Sequence, residues 1–204
     1  MYAHHLAHSV RFHAKTPIQV WDGEQFVKHS TLVNLKAGAH SADAKATNTM
    51  GALGNDPLSG VNTFKDPAGQ VYNILEDQAN TYEGTTYGTT YYIRRAPFLA
   101  EIISNPVKDV KSGSGFAYKT TEGAKYKDWA LLEHDRYFNA PAPVVRQGVN
   151  QIFLGYLPSK LKPAKGFVVH LDNGFSYEVV TAEQSTSRST KCFMMLLEAN
   201  HERA

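Results

Sequence analysis

The fold class of this chain is decided by the stretch FVVHLDNGFSYEVV, residues 167–180. Apolar and polar residues alternate on both sides of Asn173-Gly174, and alternation with a period of two is typical of half-buried β-strands. Asn-Gly favours the tight turn whose central residues need positive φ. The stretch therefore predicts a β-hairpin.

The segments around this hairpin extend the same pattern. An apolar strand is predicted at Ile152-Phe153-Leu154, a rigid basic turn over residues 156–166, and a final core strand from Lys191 to Leu197. Together these segments predict a small antiparallel barrel or sandwich, an architecture that removes or protects strand edges.

Earlier parts of the chain are also rich in strand signals. Asp22-Gly23 separates two alternating runs within residues 17–27, which predicts another hairpin. Strand character returns at residues 71–75 and in the Tyr/Thr/Gly tract of residues 81–95, and two more strand pieces bracket a hairpin tip at residues 112–115.

Two segments depart from this pattern. Residues 35–70 are small, polar and turn-rich, and we interpret them either as a disordered loop or as an extended arm that orders on neighbouring subunits. Residues 125–138 place Tyr126, Trp129, Glu133 and Tyr137 on one face at helical spacing, which predicts a short helix.

The predicted fold class is therefore mainly β: a small antiparallel β-barrel or sandwich with a long loop-rich arm and one short helix. We expect a single domain over residues 1–204. Its barrel is predicted from about 10–34, 71–120 and 149–198, with the arm at about 35–70 and the helix at about 125–138.

Composition narrows the class of function. Apolar residues make up 42% of the chain, enough for a real core, and the net charge of +2 is too small to indicate general affinity for nucleic acid. A single cysteine, Cys192, excludes an internal disulfide framework, and its apolar neighbours predict a buried thiol. We find no signal peptide and no apolar run of membrane-spanning length, so we expect synthesis in the cytoplasm and no membrane partner.

The C-terminal quarter resembles the head–tail joining proteins of tailed bacteriophages, which include head-closure (stopper-like) and other neck or connector proteins. The resemblance rests on an apolar strand, a Lys-Pro turn, a glycine, an Asp-Asn-Gly turn and a Tyr-x-Val strand. The matching positions are Leu161, Pro163, Gly166, Asp172, Gly174, Tyr177 and Val179.

The resemblance implies a structural, non-enzymatic component of the virion neck, without a cofactor, that joins the portal and head to the tail around the DNA channel. It implies a ring of about six or twelve copies packed edge to edge, with portal, adaptor and tail proteins as partners. Non-specific contact with packaged DNA is also expected. A tail terminator or another tail structural protein is the nearest alternative.

The candidate partner residues fall in two groups. Lys160, Lys162 and Lys165 form the densest basic cluster and would face DNA phosphates or an acidic neighbour, or are simply solvated. The tract before residue 96 supplies the second group: Tyr87, Tyr91, Tyr92, Arg94 and Arg95.

Two other classes of function stay open. A carbohydrate-binding β-module would stack sugars on Tyr82, Tyr87, Tyr91 and Tyr92. A metal-dependent hydrolase would use the N-terminal histidines His4, His5, His8 and His13, although no His-Glu-x-x-His arrangement is present. The charged run of residues 133–136 is interpreted as a charged face rather than as an acid–base pair.

Overall fold

The computed structural model describes residues 15–35, 48–104, 107–110, 118–121, 123–134, 152–183 and 186–197. Within them the protein is mainly β, as predicted, and consists of a closed barrel, a curled seven-stranded antiparallel sheet and a two-stranded ribbon. All six barrel strands precede residue 96, and all seven strands of the second sheet follow it.

The barrel closes in the order β1-β2-β3-β6-β5-β4. The predicted hairpin at residues 17–27 is confirmed as β1–β2, and Gly23 at its turn has a φ of +113°. Inside the barrel, Phe64 and Tyr72 stack with ring centroids 5.2 Å apart, and both are fully buried. The strands are β1 (Thr16–Trp21), β2 (Phe26–Leu35), β3 (Asn48–Leu53), β4 (Thr63–Lys65), β5 (Val71–Tyr82) and β6 (Thr85–Arg95).

The second sheet has the order β10-β7-β13-β14-β15-β12-β11. The hairpin predicted around Asn173-Gly174 is confirmed as β13–β14, with Gly174 at a φ of +88°. The strands of this sheet and of the ribbon (β8, β9) are β7 (Phe98–Ile103), β8 (Val107–Val110), β9 (Tyr118–Thr121), β10 (Lys125–Ala130), β11 (Glu133–His134), β12 (Ile152–Pro158), β13 (Val168–Leu171), β14 (Ser176–Ala182) and β15 (Ser189–Leu197).

The predicted arm is wrong at residues 48–53 and 63–65, which are strands, whereas residues 54–62 and 66–70 are turns. Residues 48–53 form β3, which pairs with β2 and β6 and closes the barrel, and residues 63–65 form β4. Met50 and Ala52 point inward and are buried, as is Leu58 in the intervening turn. Small residues suit a crowded barrel interior, but in the sequence they are hard to distinguish from a loop. Residues 36–47 lie outside the described part.

The predicted helix at 125–138 is also wrong over its described residues. Residues 125–130 form β10, which pairs in continuous register with β7. Along this strand the buried positions alternate, but one of them is Asp128. A carboxylate on the inward face disguises the period of two, so the spacing of the aromatic residues suggested a helix instead. Residues 135–138 lie outside the described part.

The segments of the chain that form the barrel also differ from the prediction. The barrel strands lie within residues 16–95, and the described strands of the segment predicted at about 149–198 belong to the second sheet instead. Because the barrel is closed, none of its six described strands has a free edge.

Candidate functional site

A buried arginine joins the two sheets. Arg188 lies before β15, and its guanidinium donates to Asp77 Oδ1 at 2.8 Å, to the Leu58 carbonyl oxygen at 2.6 Å and to the Asp56 carboxylate. The side chain is only 5% exposed. Burial alone would lower the pKa of Arg188, but hydrogen bonds and charge from Asp77 and Asp56 raise it above its usual value. We call Arg188, Asp56 and Asp77 the junction clasp.

Residues beside Arg188 extend the clasp along β5. Ser189 Oγ donates to the Ile74 carbonyl oxygen at 2.8 Å, Thr186 Oγ1 donates to the Leu75 carbonyl oxygen, and Ser187 Oγ donates to Asp77 at 3.0 Å. The segment before β15 therefore binds the barrel through polar groups rather than through an apolar face.

A second polar contact joins β10 to the barrel. Thr63 Oγ1 donates to Asp128 Oδ1 at 2.6 Å, and Asn73 Nδ2 donates to Thr63 Oγ1 at 3.0 Å and to the Trp129 carbonyl oxygen at 2.9 Å. Burial raises the pKa of Asp128, while hydrogen bonds from Thr63 and the Trp129 amide and the charge of Lys160 oppose that shift. A satisfied buried network of this kind orients the strands that it joins.

Arg94 makes the third contact. Its guanidinium pairs with Glu133 of β11 and lies 5.2 Å from the ring centroid of Tyr156. Arg94 was predicted to contact a partner, but it is buried and holds the edge of the second sheet against the barrel. Glu133, predicted on a charged helix face, is its partner.

The basic turn, Ser159–Gly166, projects from the end of β12. Leu161 packs against the core of the second sheet and Pro163 is buried, whereas Lys160, Lys162 and Lys165 are exposed. The basic turn predicted over residues 156–166 is confirmed from residue 159 onward, whereas residues 156–158 belong to β12.

Several backbone contacts fix the turn. The Lys162 amide donates to the Ser159 carbonyl oxygen at 2.9 Å, the Ser159 amide to the Arg188 carbonyl oxygen at 3.0 Å, and the Gly166 amide to the Val179 carbonyl oxygen at 2.9 Å. The backbone of Lys162 adopts the left-handed conformation, with a φ of +51°. Only glycine adopts this conformation without strain. An ordered backbone presents three ammonium groups to solvent.

A groove runs beside the basic turn, between the β1–β2 hairpin and β10. This inter-sheet groove has a volume of about 580 Å³, and its walls include Trp21, Glu24, Asn62, Lys127, Asp128 and Lys160. The side-chain nitrogen of Asn62 is buried and has no hydrogen-bond partner within the described residues. Lys160 also borders a smaller cavity, of about 250 Å³, together with the junction clasp. Lys160 therefore borders both the inter-sheet groove and the cavity at the junction clasp.

The tyrosine tract does not form one surface. Tyr91 is fully buried, donates its hydroxyl to Asp56 at 3.0 Å and accepts from the Leu58 amide. Its pKa is raised above the usual value, chiefly by burial. The prediction that Tyr91 contacts a partner is therefore wrong, and it cannot belong to a sugar-stacking platform. Tyr92 is partly exposed and donates to Gln78 at 3.3 Å, and Tyr82 and Tyr87 are also partly exposed.

Arg95, from the same tract, lines a cavity. It donates to Gln70 Oε1 at 2.5 Å and lies beside Lys65, Phe26 and Trp129. Neither the buried Asp128 nor the aromatic group of Trp21, Phe26 and Trp129 was recognised from the sequence, because β10 contacts the β1–β2 hairpin and β4 only in the folded chain. An inward carboxylate in β10 was the only available signal, and it was obscured by the helical spacing.

The remaining candidate residues are the cysteine and the N-terminal histidines. Cys192 is buried, as predicted, and burial raises the pKa of its thiol to about 12. His4, His5, His8 and His13 lie outside the described residues. The described residues contain no group of three His, Cys, Asp or Glu side chains arranged to hold a metal ion.

The positions that carry the phage resemblance lie in the turns on either side of β13 and in β14. Tyr177 and Val179 point into its core, and Gly166 and Gly174 occupy turns with φ of +92° and +88°. Within the described part of the chain, no helix is long and apolar enough to cross a membrane. No protein-family model, curated protein or solved structure matches this chain.

Proposed function

We propose that the chain is a structural component of a tailed-phage neck. Copies of it form a ring that joins the portal and head to the tail around the DNA channel. The observation that carries this proposal is the basic turn, which holds Lys160, Lys162 and Lys165 exposed on a backbone fixed by hydrogen bonds and core packing. A preordered charged loop loses little conformational entropy when it binds.

The arrangement of strand edges favours contact between subunits through side chains rather than through added β-strand pairing. The barrel is closed, and both edge strands of the second sheet are tied to it. The Trp21 indole donates to the Lys127 carbonyl oxygen of β10 at 3.1 Å, Asn73 binds the carbonyl oxygen of Trp129, and Arg94 holds Glu133 of β11. This arrangement favours contact between subunits through loops such as the basic turn, whose lysines bind acidic groups of the neighbouring component.

The left-handed lysine supports the same proposal. Glycine or asparagine is the usual residue in this conformation, and a lysine there costs roughly 1 kcal/mol. Because the Lys162 side chain is exposed, the strained backbone is not offset by packing of this side chain in the core. We infer that lysine occupies this position because it places a positive charge at the tip of the turn.

Native mass spectrometry of the purified protein at several concentrations, alone and with a portal or adaptor protein, tests the proposal. We expect a closed ring of about six or twelve copies, formed either alone or on the partner. A monomer that forms no ring under either condition would contradict the neck role. A monomer or dimer holding stoichiometric metal would instead support the hydrolase alternative.

A further inference from the structure

A second cavity lies where the β4–β5 turn meets the end of β6. It has a volume of about 520 Å³, within the range of small-molecule sites. We call it the aromatic cleft. Its lining includes Phe26, Lys65, Gln70, Arg95, Pro97 and Trp129.

Two cations border the aromatic cleft, and no acidic residue is among the described residues that line it. The Lys65 ammonium lies 4.4 Å from the Phe26 ring centroid, which orients it at the wall. The Arg95 guanidinium is oriented by Gln70 Oε1 at 2.5 Å. A guanidinium has five N–H donors, so this one contact orients the group without exhausting it. By contrast, the lysines of the inter-sheet groove share their cavity with acidic side chains such as Glu24 and Asp128.

Aromatic rings form another wall. Phe26 and Trp129 have centroids 5.6 Å apart at an angle of 43°, and the Trp21 ring contacts both, with centroids 5.1 Å from Phe26 and 6.1 Å from Trp129. Phe26 and Trp129 are only partly buried. The Trp129 indole nitrogen is itself buried, and it has no hydrogen-bond partner within the described residues. Half-buried rings beside cations are suited to flat ligands that carry negative charge.

We propose that the aromatic cleft binds a nucleoside phosphate. The planar base packs on the aromatic wall, and the phosphate lies between Lys65 and Arg95. Two cations on separate strands match a doubly charged phosphate better than a singly charged sugar carboxylate, and arginine binds phosphate oxygens in bidentate geometry. This site does not depend on the proposed neck role, since it uses neither the basic turn nor an assembled ring.

The two tryptophans of the chain provide the test, because Trp21 and Trp129 both belong to this aromatic group. Intrinsic fluorescence of the full chain is titrated with adenosine 5′-monophosphate, adenosine, inorganic phosphate and galacturonate. We expect saturable quenching by the nucleotide, with adenosine and inorganic phosphate each binding at least about tenfold more weakly. Binding should weaken as salt is added.

Variants separate the cleft from other sites. Arg95→Gln and Lys65→Gln should each weaken nucleotide binding at least about tenfold, whereas Lys28→Gln, an exposed lysine on the same strand as Phe26, should leave it unchanged. Thermal melts of all three variants establish that they are folded. The absence of saturable quenching, equal binding by the Arg95→Gln or Lys65→Gln variant, or galacturonate binding as tight as the nucleotide would overturn the proposal.

Discussion

Arg188 and Lys162 are connected through a single residue, since Ser159 donates its amide to the Arg188 carbonyl oxygen and its own carbonyl oxygen accepts from the Lys162 amide. Yet the two charges have opposite environments. Arg188 is buried against Asp56 and Asp77, while Lys162 points into solvent from a strained backbone position. The degree of burial separates the roles of these charges: the buried junction clasp holds the sheets together, whereas the exposed lysines of the basic turn are accessible to a partner.

Removing the clasp should have the largest effect on stability. Arg188→Met leaves two aspartates without their cation, and breaking a buried pair in this way costs about 3–5 kcal/mol. Urea unfolding measures the free energy of unfolding. Lys28→Met, which removes an exposed charge from β2, is the matched control and should change it by less than about 0.5 kcal/mol. A loss below about 1 kcal/mol for Arg188→Met would show that the clasp does not hold the sheets.

The buried carboxylate gives a pH-dependent effect of intermediate size. Burial raises the folded-state pKa of Asp128 above 3.8, so the folded protein keeps this proton to higher pH than the unfolded chain does. Its ionisation therefore removes stability as pH rises from about 4 towards the folded-state pKa, by at most about 1.4 kcal/mol per pH unit.

Asp128→Asn removes that loss and keeps an oxygen that accepts from Thr63 and the Trp129 amide. Relative to the wild type, the variant should gain stability as pH rises through this window in urea unfolding at several pH values. Asp172→Asn, an exposed carboxylate at the β13–β14 turn, is the control. If the difference in free energy of unfolding between Asp128→Asn and the wild type were the same at every pH, ionisation of Asp128 would not destabilise the folded protein.

Relieving the strained turn should have a smaller effect. Glycine adopts a φ of +51° without strain, so Lys162→Gly should raise the free energy of unfolding by up to about 1 kcal/mol. The greater conformational entropy of glycine in the unfolded chain reduces this gain. Thermal unfolding is the measurement, with Lys165→Gly as the comparison. Destabilisation by Lys162→Gly relative to Lys165→Gly would mean that the lysine stem itself supports the turn.

Neutralising the exposed lysines should have the least effect on the fold. Lys162→Gln with Lys165→Gln should leave the free energy of unfolding within about 0.5 kcal/mol of the wild type, because both side chains are exposed. Lys15→Gln with Lys28→Gln removes two exposed charges elsewhere and is the matched control. A larger loss in the first pair, measured by urea unfolding, would assign these lysines to the fold.

Local signals in the sequence were sufficient for the hairpins. Asp22-Gly23 and Asn173-Gly174 lie between alternating runs, and the turn chemistry alone determines where the chain reverses. Local signals were insufficient where the secondary structure depends on pairing with a strand distant in the sequence. Ala52 looks like loop and Asp128 looks like helix surface until β6 and β7 are placed beside them. The basic turn was found as a charge cluster, but neither the burial of Arg94 and Tyr91 nor the partners of Arg188 have a sequence signal, since each depends on long-range contacts.

The central claim, that the exposed lysines act in assembly while the buried charges act in folding, is tested most directly by native mass spectrometry of two variants at matched concentration. With the same partner condition under which the wild type forms a ring, Lys162→Gln with Lys165→Gln should lose the ring and remain a folded monomer. Lys15→Gln with Lys28→Gln should keep it. Rings of equal abundance in both variants would contradict the assembly role of the basic turn.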